Sequence, residues 1–434
     1  MDGISFLSFT PMILLLILFI IRVPIGTSLI LTSMYYFVFI NTAMPPDLAL
    51  QNMVSSLEVF TLLAVPFFVM VGVVMNASGI SKRLYSFADL LVGHMNGGLG
   101  QVNVVISTLM GGISGSSNAD TAMDCKMLVP EMERRGYDKA FSGALSASSS
   151  IIPAMIPPGI VMIIYAMVAK VSIGRMFLAG YVPGFMLCIG LMIAVHIISK
   201  KRGYGRSRDK IASLREILIG AMSAIFALLM PFGFLLGIRF GLFTPTEGGA
   251  IAVVFCLLVG VFVYKEIKWS QFYQIIKETF TSTAEVLYIV VGASLFGYYL
   301  SWERIPVMLS NVILQFADNK FVFLLVINVI LLFLGMFIEA GPAIIILVPL
   351  LMAPLQALGI DPIHFGIIMT LNLVIGGITP PFGSMMFISC SLLKLPMQKY
   401  VKANMPFLGV AVLVLLIITY VPGLVMFIPN LVMP

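Results

Sequence analysis

The sequence has few charged residues and few residues of the kinds that bind metals or form disulfides. Only 10% of its 434 residues are Asp, Glu, Lys or Arg, whereas soluble domains contain about a quarter. The three histidines and four cysteines are isolated, without ligand or CxxC spacing, so neither a metal cluster nor a disulfide is expected. No GxxxxGK[ST], HExxH or GxSxG motif occurs. These absences remove the sequence case for ATP hydrolysis and for the common hydrolases.

The chain is instead rich in long apolar segments. Hydrophobic residues make up 60% of the chain, and runs long enough to cross hydrocarbon recur along it. The pattern predicts an all-α polytopic membrane protein, with residues 1–434 forming one integral unit surrounded by the lipid bilayer. The clearest runs are 11–21, 25–40, 176–198, 217–236, 250–264 and 409–428.

The longest polar segment, residues 199–216, contains seven Lys and Arg residues. The positive-inside rule places this basic loop in the cytoplasm. Counting spans outward from it predicts an interfacial amphipathic helix over 270–283, followed by a span over 285–301. Membrane topology thus explains the net charge of +6, and a nucleic-acid partner is not expected.

Two stretches, 97–132 and 321–357, are unsuited to a single crossing. Each has two apolar arms interrupted by glycine or polar residues, and each must begin and end on the same side of the membrane for the charges to balance. Both are therefore predicted to be re-entrant helical hairpins. Irregular backbone at membrane depth is tolerated only where protein or a water-filled cavity surrounds it.

The two halves of the chain form a faint repeat over 58–198 and 278–428. The matches occur in the same order in both copies, and an odd number of crossings between the copies predicts that they are inverted. Each hairpin is followed by a helix broken at Pro-Pro, the first over 140–169 and the second over 362–393. Inverted repeats with interrupted apolar segments are the sequence pattern of secondary transporters.

The interruptions are also where polar groups collect. Carbonyl groups freed by Pro-Pro need partners away from bulk water, and a hard monovalent cation can be coordinated by carbonyl and hydroxyl oxygens. We predict one monovalent-cation site between the first hairpin tip and its broken helix, and a second at the equivalent place in the other repeat; sodium is the cation that the family resemblance described below implies. The residues of the first site are Ser114, Ser116, Ser117, Asn118, Pro153, Pro157 and Gly159, and those of the second are Gly335, Glu339, Gly341, Gly376, Thr379 and Pro380.

An anionic substrate is expected at the same centre, because helices that start after each interruption present positive N-termini. Its expected contacts are Ser116, Asn118, Asp120, Ser150 and Thr379. Asp120 and Glu339 could relay protons or favour the start of the helices that follow each tip. Packing glycines, hairpin loops and proline kinks remain the structural alternative for any single interruption.

The signature GSSNADTAMDCKMLVPEMERRGYDKAFSGALSASSSIIPAMIPPG (115–159), with FTPTEGGAIAV (243–253) and GGITPPFG (376–383), resembles the large membrane subunit of tripartite ATP-independent periplasmic (TRAP) transporters. The resemblance covers essentially the whole chain. It implies sodium-coupled import of an organic acid across the bacterial inner membrane by an elevator mechanism, in which the hairpins and broken helices move against a fixed scaffold.

The resemblance also implies two partners: a small membrane subunit, expected as a separate chain, and a periplasmic substrate-binding protein. For the substrate, sialic acid is the first expectation and a C4-dicarboxylate the second. The only basic residue near the interruptions is Lys126, so hydroxyls, amides and helix N-termini are expected to hold the anion. The alternatives are a passive anion channel and an intramembrane enzyme that uses Asp120 and Glu339. A transporter subunit, not an enzyme, is the prediction.

Overall fold

The computed structural model describes most of the chain as helices. The residues described are 6–21, 23–41, 46–58, 60–111, 116–240, 242–308 and 319–433. No β-strand occurs among them, which confirms the prediction of an all-helical protein. Ser114, one of the predicted sodium ligands, lies outside the described residues.

The first half contains the helices of the first repeat and those that precede it. Their bounds are α1 Thr10–Ile20, α2 Ile25–Tyr35, α3 Pro46–Ser55, α4 Ala64–Ala77, α5 Ile80–Val92, α6 Gly98–Met110, α7 Ser117–Met127, α8 Val129–Arg134, α9 Lys139–Ser149, α10 Ile152–Met155, α11 Ile160–Val168 and α12 Ile173–Arg202. Helices α6 and α7–α8 occupy the first predicted hairpin, and α9–α11 the first predicted broken helix.

The second half continues after the basic loop. Its helices are α13 Leu214–Ser223, α14 Ile225–Arg239, α15 Pro245–Leu258, α16 Phe272–Trp302, α17 Lys320–Gly335, α18 Ala340–Ala357, α19 Pro362–Gly376, α20 Ser384–Leu393, α21 Met397–Tyr420 and α22 Pro422–Val432. Helices α17 and α18 occupy the second predicted hairpin, and α19 and α20 the second broken helix.

Five helices in the described part are long and apolar enough to cross a membrane: Ile173–Arg202, Thr246–Val263, Trp269–Trp302, Ala340–Ala357 and Met397–Tyr420. The pair Lys139–Met155 and Ile160–Val168 also qualifies as one span, bent by 44° at its break. The bend falls at the Pro157-Pro158 segment, as expected where proline removes a backbone donor.

Helix α16 differs from the sequence prediction. An interfacial helix over 270–283 and a separate span over 285–301 were expected, but the chain forms one 31-residue helix from Phe272 to Trp302. The polar residues from Glu278 to Glu285 include neither glycine nor proline, so nothing in them interrupts the helical hydrogen bonds. Helix α16 packs against α2 and α4 and against α18 of the second hairpin.

The basic loop is shorter than predicted, because α12 continues to Arg202 and α13 begins at Leu214. The loop backbone is bonded to the start of α6: Gly97 N–H donates to Tyr204 O at 3.3 Å, and Gly98 N–H to Gly205 O at 3.1 Å. At its end, Ser213 and Glu216 form a capping box. The hydrogen bond from the Ser213 backbone holds the pKa of Glu216 below its usual value. The loop is thus fixed against the first hairpin.

Matching caps relate the two broken helices. Asp138 accepts a hydrogen bond from Phe141 N–H at the start of α9, and Asp361 accepts from Ile363 and His364 at the start of α19. Two residues before each aspartate, a glycine adopts the left-handed conformation: Gly136 has φ 83° and Gly359 has φ 63°. A side chain is strained in this conformation, which explains glycine at both places.

The second arms of the hairpins also match in length, which changes one alignment. Helices α7 and α8 together extend from Ser117 to Arg134, and α18, with 18 residues, extends from Ala340 to Ala357. The residues before them are Ser116 and Glu339, which occupy the N-cap positions. Glu339 therefore corresponds to Ser116. The sequence alone favours aligning Leu128-Val129-Pro130 with Leu347-Val348-Pro349, which would instead pair Glu339 with Asp120.

A buried polar pair joins each hairpin to its broken helix. Ser149 Oγ donates to Asn103 Oδ1 at 2.7 Å, linking α9 to α6. Asn372 Nδ2 donates to Asn328 Oδ1 at 2.7 Å, linking α19 to α17. Ser149 and Asn372 are each the eleventh residue of their helix, so the pairs are related by the repeat. All four residues are at most 5% exposed.

Replacing Asn328 with leucine tests the second pair. The change removes the side-chain oxygen that accepts from the Asn372 amide, which keeps only its bond to the backbone carbonyl of residue 328, and it also removes the bond from Asn328 to Thr419. Such losses in a buried site cost about 1–3 kcal/mol. The melting temperature of the purified protein should fall accordingly. The double variant Asn328→Leu/Asn372→Leu should recover part of the loss, because both partners are then apolar. A double variant that loses as much stability as the single variants Asn328→Leu and Asn372→Leu together would contradict the proposed coupling.

Candidate functional site

A cavity of about 370 Å³ lies where the two repeats meet. Its wall contains both hairpin tips, the last helix of each broken helix, and parts of α4 and α16. The polar residues on this wall are Ser116, Ser117, Asn118, Glu278, Ser282, Glu285, Glu339 and Ser384. None of the described residues that line it is Lys, Arg or His.

The helices around the cavity are arranged reciprocally. Helix α7 of the first hairpin packs against α20 of the second broken helix, and α18 of the second hairpin packs against α11 of the first. This exchange is what a pseudo-twofold relation between the repeats produces. The cavity therefore has one hairpin tip and one broken-helix end from each repeat.

Four helices begin at the cavity: α7 at Ser117, α11 at Ile160, α18 at Ala340 and α20 at Ser384. Proline and glycine interrupt the helical hydrogen bonds before α11 and α20, whereas Ser116 caps α7 and Glu339 occupies the N-cap position of α18. Each N-terminus carries roughly half a positive elementary charge. Four of them make the cavity suited to an anion although no basic side chain lines it.

Asn118 connects the two repeats across the cavity. Its Nδ2 donates to Glu339 Oε1 at 2.7 Å, and its Oδ1 accepts from Ser384 Oγ at 3.0 Å. One side chain thus joins the first hairpin tip to the second tip and to the start of α20. These are the only hydrogen bonds between the two repeats at the cavity wall among those of the described residues.

The first predicted sodium site is partly assembled. Helix α7, with Ser116, Ser117 and Asn118 at its start, contacts α10, which contains Pro153. Ser117 Oγ is shielded from solvent and has no hydrogen-bond partner in the described structure, so it is suited to bind an ion. Pro157 and Gly159 are buried in the segment before α11.

The second predicted sodium site is built on close backbone contact. Gly335 at the end of α17 lies directly against Gly376 at the end of α19, so closely that neither position has room for a Cβ. Thr379 follows in the interruption, and its Oγ1 donates to Ile375 O at 2.8 Å. Pro380 is adjacent to it. Carbonyl and hydroxyl oxygens are the groups present, which are the ligands a hard monovalent cation takes.

Two residues predicted for the second sodium site lie at the cavity and not at the contact between Gly335 and Gly376. Glu339 and Gly341, predicted for the second sodium site, line the cavity. Gly341 faces Ile164 of α11 and is not part of the contact between Gly335 and Gly376. No cluster of three or more His, Cys, Asp or Glu side chains suited to a metal occurs in the described residues.

Three of the five predicted substrate contacts are not among the lining residues. Asp120 is buried and lies two positions after Asn118, so the two side chains point to different sides of α7. Ser150 is fully buried and donates to Ser146 O at 2.7 Å. Thr379 is 6% exposed and bonded within its own segment. Ser116 and Asn118 do line the cavity.

The sequence reasoning missed Glu278, Ser282 and Glu285, which form a polar stripe on α16. Their spacing of four and three residues places them on one side of a helix. Val286 and Ile289 continue the same side as an apolar wall. The stripe was detectable in the sequence, but Glu278 and Ser282 were assigned to the interfacial helix over 270–283 and Glu285 to the start of the span over 285–301.

Comparison with known proteins identifies the family. Residues 12–424 match the family model described as "Tripartite ATP-independent periplasmic transporter, DctM component". The chain is 39% identical to the sialic acid TRAP transporter large permease protein SiaM of Vibrio cholerae, over 94% of this chain and 95% of that one. It is 36% identical to the C4-dicarboxylate TRAP transporter large permease protein DctM of Pseudomonas aeruginosa, over 86% and 87% of the two chains.

The fold has a solved counterpart. The crystal structure of the Alcanivorax borkumensis YdaH transporter matches with a TM-score of 0.65 at 13% identity, covering 94% of this chain and 98% of that one. At this identity the likeness concerns the fold alone. The two relatives of the present chain named above are transporter permease subunits and not enzymes, which removes the enzyme alternative. With a family match over nearly its full length and the apolar helices described above, this chain belongs to the large permease component of the TRAP transporters of the bacterial inner membrane.

Proposed function

We propose that the chain imports an organic acid by sodium-coupled secondary transport. Sialic acid is the first candidate substrate and a C4-dicarboxylate the second, as the names of the two relatives suggest. The observation that carries the proposal is the convergence of four helix N-termini on one cavity that no basic side chain lines. A carboxylate is the ligand that such an arrangement suits best.

The carboxylate would be held by the N–H groups at the starts of α7, α11, α18 and α20, together with side-chain donors. Ser116, Asn118 and Ser384 line the cavity close to these starts. Hydrogen bonds to a charged group are stronger than those between neutral groups, so a few such donors suffice. Because Asn118 already bonds Glu339 and Ser384, binding would rearrange these bonds.

Sodium would supply the positive charge that the cavity lacks. The first tip has an unpartnered hydroxyl at Ser117, and the second interruption has carbonyl groups between Gly376 and Thr379. A cation bound at either place would stabilise a nearby anion. By linkage, the anion would then raise the affinity for the cation by the same factor. This reciprocity is the physical basis of the proposed coupling.

An elevator movement is the proposed way in which the site changes sides. Each hairpin is joined to its broken helix by a buried polar pair, Asn103–Ser149 or Asn328–Asn372, and can move with it. Helices α4 and α16 pack on each other and line the remaining wall. They would belong to the fixed scaffold against which the hairpins and broken helices move. The family is tripartite, and we propose a small membrane subunit and a periplasmic binding protein as the two partners.

Uptake into proteoliposomes tests the proposal. The chain is reconstituted with the small subunit, and purified candidate binding proteins loaded with sialic acid or a C4-dicarboxylate are added outside. An inward sodium gradient should drive accumulation above equilibrium, and dissipating the gradient should abolish it. Equilibration without accumulation, at a rate indifferent to sodium, would instead support the channel alternative.

A further inference from the structure

The polar stripe of α16 places acidic groups on a wall of an anion-binding cavity. Glu278, Ser282 and Glu285 occupy one side of the helix. At 1.5 Å rise per residue, the two glutamates are separated by about 10 Å along the helix axis. Neither forms an ion pair among the described residues. Because carboxylates repel an anionic substrate, their presence on this wall calls for a functional explanation.

The charges on the cavity wall decide which anions it can accept. Four helix N-termini contribute together roughly two positive elementary charges, against three carboxylates on Glu278, Glu285 and Glu339. Glu339 is at the N-cap of α18 and accepts from Asn118, so its charge is partly compensated. Those of Glu278 and Glu285 have no comparable partner. The α16 wall is therefore negative, while the helix starts are positive.

A ligand that fits both walls has its negative charge at one end and hydrogen-bond donors at the other. An ionised carboxylate accepts hydrogen bonds but donates none, so Glu278 and Glu285 can bind hydroxyl groups. Both glutamates are exposed at the edge of the cavity. A second carboxylate on the ligand would meet them as like charge, which weakens its binding. An apolar tail would offer them no hydrogen-bond donor.

We propose that Glu278 and Glu285 determine specificity, by binding the hydroxyl groups of a polyhydroxylated monocarboxylate and repelling dicarboxylates. The inference rests on the proposed function, because it assumes that the carboxylate is held at the helix starts. It assigns selectivity within this chain to α16, outside the hairpins and broken helices. Ser282, between the two glutamates, offers one further hydroxyl to the same part of the ligand.

The test compares ligands of equal carbon number that differ only in the relevant groups. Binding of gluconate, adipate and hexanoate is measured by calorimetry on the complex of the chain with its small subunit, once at high sodium and once without sodium. The double variant Glu278→Gln/Glu285→Gln keeps shape and acceptor oxygens but removes both charges. Glu58→Gln is the matched control: Glu58 aligns with Glu278 in the first repeat, is exposed, and does not line the cavity.

The wild type should bind gluconate in preference to adipate and hexanoate. In the double variant, the affinity for adipate relative to gluconate should rise about tenfold or more, since two like charges no longer oppose the second carboxylate. Glu58→Gln should leave the ratio unchanged. An unchanged ratio in the double variant, or wild-type preference for adipate, would overturn the assignment. Binding of every acid without any dependence on sodium would count against the proposed function instead.

Discussion

Replacing Asn118 with leucine is expected to lower sodium-driven uptake about a hundredfold. Leucine has a similar size but removes the bonds to Glu339 and Ser384, one of which involves a charged partner. A bond to a charged group contributes about 1.5–3 kcal/mol, and 2.7 kcal/mol is a hundredfold change. The apparent affinity for sodium should fall as well. Both are measured from uptake at varied sodium concentration.

Two controls separate this effect from a loss of folding. Asn430→Leu also removes a hydrogen-bonded amide, but it lies in α22, where its Oδ1 accepts from Arg175, and should transport normally. Ser384→Ala removes only one of the two bonds of Asn118 and should give a smaller loss than Asn118→Leu. Normal uptake and sodium affinity in Asn118→Leu would show that the contact between the two repeats is not used in transport.

Replacing Gly376 with alanine is expected to be among the most destabilising single changes. Its Cβ would lie against the backbone of Gly335, nearer than real Cβ atoms approach other atoms. Backbone cannot move aside as a flexible side chain does, and overpacking of this kind costs about 3 kcal/mol. The melting temperature should fall by several degrees, and uptake should be lost because the second tip is displaced from its broken helix.

Gly409→Ala provides the comparison. Gly409 is also within a helix, α21, but a Cβ there meets nothing within 4 Å, so stability should be unchanged or slightly higher. Equal stability of the Gly376→Ala and wild-type proteins would mean that the tip and the broken helix are not held together as described. Retained stability with lost uptake would place the effect in the movement of the tip.

The interruptions of the fold were predictable from sequence because they depend on local chemistry. Proline and glycine act on the backbone where they occur, so the segments at Pro157-Pro158 and at Pro380-Pro381 break their helices wherever the rest of the chain lies. The caps at Asp138 and Asp361 are local in the same sense. The all-helical class followed from the long apolar runs.

The side of a helix that faces the cavity was not predictable in this way. Asp120 and Asn118 are equally polar and two residues apart, and only the packing of α7 shows that Asn118 lines the cavity. Matching Leu-Val-Pro in both halves misaligned Asp120 with Glu339, since three apolar letters carry little information in so apolar a chain. The lengths of the helices give the alignment of the two repeats, which the residue identities did not.

Glu278 and Glu285 illustrate a different limit. The pattern around Glu278 favoured an amphipathic helix at the membrane surface, and Glu285 was placed at the start of the span that follows. In the structure both residues belong to one helix and border a cavity. Sequence shows that a residue is polar, but whether lipid or a cavity surrounds it depends on elements such as α11 and α18 that are distant in the chain.

The repeated polar pairs have a consequence for how this protein can change over generations. In each pair, loss of one member removes a buried hydrogen bond from the other, which keeps only its remaining bonds, so a substitution at Ser149 favours a compatible one at Asn103. The same holds for Asn372 and Asn328. The donor is the hydroxyl of Ser149 in the first pair and the amide of Asn372 in the second. Either chemistry thus ties a hairpin to its broken helix, provided that the two members of the pair match each other.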